Sequence, residues 1–387
     1  MTEKIYYEDV EQLTFTARVL SCEARGDHFE AVLDRTAFFP EGGGQPADQG
    51  TLGNVRVLDV HEKHGEVVHL TDAELIPGEL VTGQVDGIRR RDMMQQHSGE
   101  HIFSGLVHRL FGYDNVGFHM GSEAVTMDFN GPISEEDADR IETLANEVIW
   151  SDVPVRVYTP SPADLEMLVY RSKKKLEGEV RIVEIPGVDM CACCGTHVQR
   201  TGSIGLLKVL GVQKYKKGVR VSILCGRRAL LHLKMVSSQM QEMARMLSTR
   251  KENVLPGVCS LLKERDQAAY ERDSMAMKLF HIQMQQLSGE IRVVCCNELP
   301  ASQMGKAAVE ETPEGQVTLL LSGTASEGWN FALACRGRAR EITRELCRSF
   351  EGKGGGDQDL TRGKLGICQP EELRNELEKI WSGMNRR

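Results

Sequence analysis

The stretch QQHSGEHIFSGL, residues 95–106, sets two histidines four apart, with a glutamate just before the second. Residues four apart on a helix lie one above the other on the same face, so His97 and His101 can close on one metal ion. An isolated H-x-x-x-H arises often by chance, and its weight depends on what the rest of the chain offers. The complement comes in VDMCACCGTHVQRTG, residues 188–202, where Cys193 and His197 form C-x-x-x-H after a strand-like run. Together the two pairs make a tetrahedral N/S set suited to zinc. Cys191 and Cys194 lie close enough to compete as the sulfur ligand. Cys193 is preferred because it stands four residues from His197, the offset that separates His97 from His101.

Outward from this pair the chain divides into four parts. Residues 1–88 alternate apolar and polar in short runs (FTARVLSCEA, HFEAVLD, VRVLDVHE, EVVHLT, LVTGQVD) separated by Gly and Asp, which predicts a small antiparallel, barrel-like β-domain. Within it, LDRTAFFPEGGGQPADQG (33–50) follows an apolar-aromatic run with three glycines. Their bare backbone N–H groups allow close approach by a polar ligand, although an ordinary hairpin loop would read the same way. Residues 89–225 mix helices and strands, with a helix opening at Ser134, where SEED is a capping box and Ile141, Leu144 and Val148 keep the helical period. Residues 226–288 show no strand pattern and one break at ENVLPGV, which predicts a helical hairpin with a Met-rich packing stripe. From 289 to 387 strand and helix signals alternate again, in IRVVCC, VTLLLSG, GRAREITRELCRSF and the glycine-dense EGKGGGDQDLTRGKLG. The class expected is α+β, with a zinc-containing α+β core and an α/β C-terminal domain.

Composition narrows the function classes. The 387 residues are 41% hydrophobic and 27% charged, ordinary values for a globular chain with real cores. No apolar run approaches a membrane span and MTEKIYYEDV lacks the apolar stretch of a signal peptide, so a cytoplasmic protein without a membrane partner is expected. The eleven cysteines then read as thiols or metal ligands. The net charge of −9 is unfavourable for nucleic-acid binding, but RRR (89–91), RSKKK (171–175) and KVLGVQKYKKGVR (208–220) are local basic patches, if not merely solvated surface.

Taken in order, FFPEGGGQPADQG, H-x-x-x-H, HMGSEAVTMDF (119–129) and the C-x-x-x-H within CCGTHV resemble the stand-alone alanyl-tRNA editing proteins, the AlaX family. These are similar to the editing half of alanyl-tRNA synthetase. The resemblance covers essentially the whole chain, and the end of it is similar to the long form with a DHHA1-like C-terminal domain. It implies zinc on His97, His101, Cys193 and His197, with Gly42, Gly43, Gly44 and Gln45 in the substrate-pocket wall. It places Thr36 near the amino-acid side chain and turns His119 toward the site. Glu100 and His119 are the candidate catalytic acids or bases. One departure stands out: synthetases read C-G-G-T-H where this chain has C-C-G-T-H, so Cys194 replaces a glycine.

What the resemblance implies is a trans-acting, zinc-dependent hydrolase of mischarged tRNA(Ala), since no aminoacylation domain is expected before the β-domain. A synthetase pocket sized for alanine cannot exclude glycine by size or strongly reject serine, which makes a second, hydrolytic sieve necessary. Ser-tRNA(Ala) is the first expected substrate and Gly-tRNA(Ala) the second. The C-terminal region would add tRNA affinity or form a homodimer. Two alternatives remain at this level: an RNA-binding module with a structural zinc, and an inverzincin-type metalloprotease in which HSGEH supplies Glu100 as general base. The second has no use for the C-x-x-x-H pair or the glycine loop. Absence of a D-H-H triplet argues against a phosphoesterase.

Overall fold

The computed structural model describes residues 1–172 and 179–386, in two compact units, Met1–Met240 and Gln241–Arg387. Residues 173–175 of the basic run RSKKK lie outside the described residues. The architecture is mixed α+β, as the patterning predicts.

In the first unit, the alternating runs become β1 (Thr14–Arg25), β2 (His28–Leu33), β3 (Gly50–Leu52), β4 (Val55–Lys63), β5 (Glu66–Thr71) and β6 (Leu80–Val85). They pair in the cyclic order β1-β2-β5-β4-β3-β6, closing a barrel with no free edge. Period-two alternation sends Phe15, Ala17, Val19, Ala31, Leu33, Val57, Val60, Val67 and Val85 inward. The glycine loop leaves this barrel after Thr36 and re-enters it at β3.

Helix α1 (Gly87–Phe111) follows directly. Asp86 caps it by accepting from the backbone N–H groups of Ile88 and Arg89, and Gly112 ends it in the left-handed region at φ 71°. Residues 96–107 of α1 are buried on every face, because the barrel loop, two sheets and a second helix surround it. Those elements are β7 (Asn115–Met120), β8 (Val125–Phe129), α2 (Glu135–Trp150), β9 (Arg156–Tyr158), β10 (Ile182–Ile185), β11 (Asp189–Ala192), β12 (Leu207–Tyr215) and β13 (Gly218–Cys225). One sheet has the order β12-β13-β8-β7 and the other β9-β10-β11. The capping box at the start of α2 is present, Ser134 and Asp137 exchanging side-chain and backbone bonds. Ile102, Phe103 and Leu106 of α1 pack with Met127, Phe129, Val221, Ile223, Ile141 and Ile149 in one core.

The join between barrel and core is a buried ion pair. Arg90, on the first turn of α1, is 2% exposed and bonds Asp48 at the end of the glycine loop through Nε and Nη2. Its remaining donors reach the carbonyls of Val10 and Ala37, and Asp48 also accepts from the Phe39 amide at 2.7 Å. Each of the three guanidinium nitrogens thus reaches a loop residue.

Helix α3 (Gly226–Met246) crosses the boundary between the units. In the second unit, α4 (Val254–Gln285) carries Pro256 in its first turn, where a missing N–H costs nothing. A five-stranded sheet follows: β14 (Ile291–Cys295), β15 (Val317–Thr324), β16 (Gly328–Ala334), β17 (Lys353–Gly356) and β18 (Leu360–Leu365), in the order β14-β15-β16-β18-β17. The unbroken apolar run of β15 reflects burial on both faces. Leu319 and Leu321 pack under α6 (Ala339–Ser349) and α7 (Pro370–Met384), while Leu320 meets α5 (Ala301–Glu310) and the end of α4 at Phe280 and Met284. Among the described residues, no helix is long and apolar enough to cross a membrane.

Removing one member of a buried ion pair strands the other charge, at a cost of about 3–5 kcal/mol. Asp48→Ala is therefore expected to lower the stability of the first unit by about that amount in urea unfolding followed by circular dichroism. A loss under about 1 kcal/mol would show that the pair does not hold barrel and core together.

Candidate metal centre

His97 and His101 sit one turn apart on α1, and Cys193 and His197 lie in the loop that leaves β11. Their ligand atoms all fall within 4.8 Å of one another. The three imidazole centroids are 4.4–5.3 Å apart, and each histidine is at most 3% exposed. Three buried imidazoles in mutual contact need something to converge upon.

The outer nitrogens are already taken. Nδ1 of His97 lies 2.9 Å from Gln45 Oε1, Nδ1 of His101 lies 2.9 Å from Asp189 Oδ2, and Nδ1 of His197 lies 3.3 Å from Ser98 Oγ. Such contacts fix the tautomer and aim Nε2 at the centre, the usual arrangement behind metal-bound histidines. Each partner is itself held. Gln45 Oε1 also accepts from the Thr196 amide, its Nε2 donates to Thr196 Oγ1, Asp189 accepts from Arg171 Nε and Nη2, and Ser98 Oγ accepts from the Val198 amide. Among the described residues, Nε2 of His197 is buried without any hydrogen-bond partner, an expensive state that a bound cation would remove. Burial alone would raise the pKa of the Cys193 thiol, yet the charge of His97 and contacts from His101, His197 and His97 hold it well below the ordinary value. Burial pushes His197 down to about 3. The cluster thus brings together three imidazoles and a thiol biased toward its thiolate form, a donor set that fits a tetrahedral divalent metal.

Among the three neighbouring cysteines, Cys193 is the one whose sulfur lies among the histidines. Cys193 Sγ is 3.4 Å from His97 Nε2. Cys191 is buried with its thiol pushed up to about 12 by burial, and the group it forms with His101 and Asp189 already has its carboxylate engaged by Arg171. Cys194 is exposed on the loop, and its carbonyl accepts from Tyr7 Oη. The loop's backbone is strapped further by Arg181, whose Nη1 donates to the carbonyls of Cys193 and Gly195. Gly195 is required by contact: a Cβ there would lie 2.1 Å from His97 Cε1. Any side chain would push His97 out of line.

The centre opens on a cleft of about 900 Å³ lined by His97, His101, Cys193, Gly43, Gly44, Phe118, Tyr7 and Arg181 among others. Phe118 stacks on His97 at 5.2 Å between centroids. Gly44, at φ +86°, has no room for a Cβ, which would meet Phe118 at 2.6 Å.

The remaining expected site residues are placed as follows. Gly43 and Gly44 line the cleft, and Gly42 bridges to Gln45 at the base of the same loop. Gln45 is fully buried behind His97 and positions that imidazole, where the resemblance implied a place in the pocket wall. Thr36 is buried in the barrel, bonded to His69 Nε2 at 2.8 Å and to the Phe38 amide, and does not line the cleft. Glu100 is buried beneath the cluster, accepts from Ser104 Oγ and Asn115 Nδ2, and lies 3.8 Å from His101 Nε2. His119 is exposed on β7 and points away from Phe118, its neighbour on the cleft side. Sequence reasoning missed Asp189, Ser98, Arg181, Tyr7 and Phe118. The first two flank the ligand motifs, in VDMC and QHSGE, and adjacency was their one visible signal.

Known proteins give these features a context. Residues 180–221, which include Cys193 and His197, match the Threonyl and Alanyl tRNA synthetase second additional domain, and residues 2–89 match the class II (A) tRNA synthetases. The chain is 31% identical to the alanyl-tRNA editing protein AlaX-L of Pyrococcus horikoshii, over 99% of both chains. It is 29% identical to the alanyl-tRNA editing protein Aarsd1-B of Xenopus laevis, covering 92% of this chain and 89% of that one. Identity to the alanine–tRNA ligase of Methanoculleus marisnigri is 34%, over 100% of this chain but only 43% of the ligase. The chain thus spans less than half of the ligase and nearly all of the archaeal editing protein, and by that full-length likeness it belongs to the alanyl-tRNA editing protein family.

Proposed function

We propose that this protein is a zinc-dependent deacylase that hydrolyses mischarged tRNA(Ala) in trans. The observation that carries the reading is the convergence of three tethered imidazoles and one thiolate at the floor of a cleft walled by a glycine loop. His97, His101, Cys193 and His197 would hold the zinc. When bound, it would supply Lewis acidity toward an ester or an oxygen nucleophile at that point. Gln45, Asp189 and Ser98 orient the imidazoles. Gly43 and Gly44, lacking side chains, let the aminoacyl end come close to the cluster, and Phe118 shields His97 from water. Arg181 and Tyr7 fix the backbone on the opposite side. Glu100, 3.8 Å from His101 and tied to Ser104 and Asn115, completes a polar floor beneath the ligands. The unit Gln241–Arg387 carries none of the four residues, and we assign it tRNA affinity or self-association rather than chemistry.

Selection of serine over alanine follows from hydrogen bonding. A site that engages the serine hydroxyl leaves a buried polar group unpaired when alanine enters, at about 1–3 kcal/mol, or on the order of ten- to a hundredfold. Glycine lacks the hydroxyl as well and is ranked below serine.

Two measurements test the reading. In the first, Ser-tRNA(Ala), Gly-tRNA(Ala) and Ala-tRNA(Ala) are each incubated with the full chain and ester loss is followed. Serine is expected to be released fastest, glycine more slowly, and alanine to be spared. Equal loss of all three would make this a nonspecific esterase, and no loss of any would leave an RNA-binding module with a structural metal.

The second reads metal directly. Purified protein is expected to carry about one zinc per chain, as one four-ligand site requires, and H97A/H101A to carry none. Gln45→Ala, which removes the partner of His97 Nδ1 together with the two bonds to Thr196, is expected to weaken zinc affinity by about 10- to 100-fold in chelator competition. Full occupancy in the double variant would show that the ligands lie elsewhere.

A further inference from the structure

The basic run 208–220 is not absorbed by the metal centre. In the structure it forms most of the β12–β13 hairpin, the far side of the sheet whose other edge, β7, borders the cleft. The run has five cations and no acid. Two are matched: Lys208 by Glu142 at 2.8 Å, and Arg220 by Asp128 at 2.6 Å. Lys214, Lys216 and Lys217 are exposed at the tip, and among the described residues none of them forms an ion pair. Lys216 also sits at φ 50°, a left-handed conformation that glycine or asparagine adopts with less strain. A lysine there is a poor choice for the turn and a good one for placing charge.

Behind the tip, the sheet offers a surface. Met127, Val125, Val221 and Ile223 face the core, so the alternate residues Thr126, Asp128, Arg220 and Ser222 face outward. Tyr215 lies on that outward face with the Arg220 guanidinium 4.0 Å over its ring. Strand register puts Gln213, Arg220, Asp128 and Gly117 in one row across the sheet. Gly117 lines the cleft. Two strand spacings, about 10 Å, therefore separate Arg220 from the cleft wall. An aromatic ring flanked by a guanidinium and a lysine, with further lysines free of ion pairs at the tip, on a sheet whose edge lines a cleft, is the equipment of a single-stranded nucleic-acid track. His119, exposed on β7 and opposite Thr126, stands on the same face.

We propose that this outward face and the lysine tip of the hairpin bind the phosphate backbone of the RNA whose aminoacyl end enters the cleft. The proposal rests on the reading of the cleft as a deacylase site. Binding of uncharged and serine-charged tRNA(Ala) to the full chain is measured from low to high salt, alongside deacylation kinetics, for the native protein and for K214A/K216G/K217A. Neutralised phosphates make log affinity fall linearly with log salt, by about 0.7–0.9 per contact. The variant is expected to show a slope shallower by about 2 and a KM raised about tenfold, with kcat unchanged. The single variant K216G, which relieves the turn, is expected to fold at least as stably as the native chain and still bind RNA less tightly.

The failures are distinguishable. Native protein that binds tRNA with the steep slope but releases no amino acid would overturn the deacylase reading and leave the RNA face standing. Native protein that deacylates while the triple variant keeps its slope and KM would overturn the RNA face alone. Competition by polyglutamate as strong as that by uncharged tRNA would overturn it in favour of an acidic protein partner.

Discussion

Three buried histidines and a half-buried cysteine held within 4.8 Å of one another make an unstable arrangement unless each is held from behind. Imidazoles lose water on burial, and a thiolate loses more. The first unit resolves this by giving each histidine a hydrogen-bond partner on its outer nitrogen and surrounding the thiolate with imidazoles. The partners come from three places: the barrel loop, the strand before the cysteine motif, and α1 itself. Ligand geometry therefore depends on the folding of the whole unit, not on two short motifs alone.

That dependence explains the unusual burial of α1. A surface helix would show one apolar stripe, whereas residues 96–107 are enclosed all round and carry glycines where neighbours press closest. A Cβ on Gly99 would come 2.2 Å from Cys225 Sγ, and one on Gly105 would come 2.6 Å from the backbone of Val188. Close approach on one side brings Asp189 within reach of His101. On the other side, the Arg90–Asp48 pair draws in the glycine loop that carries Gln45.

Much of this was legible in the sequence. The convergence of the two His/Cys pairs, the β-alternation of the first 88 residues and the capping box at Ser134 follow from local spacing, and local spacing is what helices and strands impose. The hairpin of 207–225 was less visible, because its charged residues masked the alternation of Val209, Val212, Val219, Val221 and Ile223. Strand β11 escaped notice because its four residues, DMCA, are too short for a period. Gln45 was assigned to the pocket wall by resemblance, since nothing in GGGQP shows which way an amide will turn. Arg181 and Tyr7 gave no signal at all: their roles arise from contacts across long sequence separations, which no window of residues contains.

The amide of Gln45 has a further consequence for how such a site is passed on. His97 and the residue that aims it lie on opposite sides of the junction between barrel and helix, joined through Asp48 and Arg90. A gene fragment encoding only the helix and the cysteine loop would carry all four clustered side chains and lack the group that orients one of them. A break at that junction would cut neither His/Cys motif and would still unseat His97, so barrel and core must travel together for its orientation to survive.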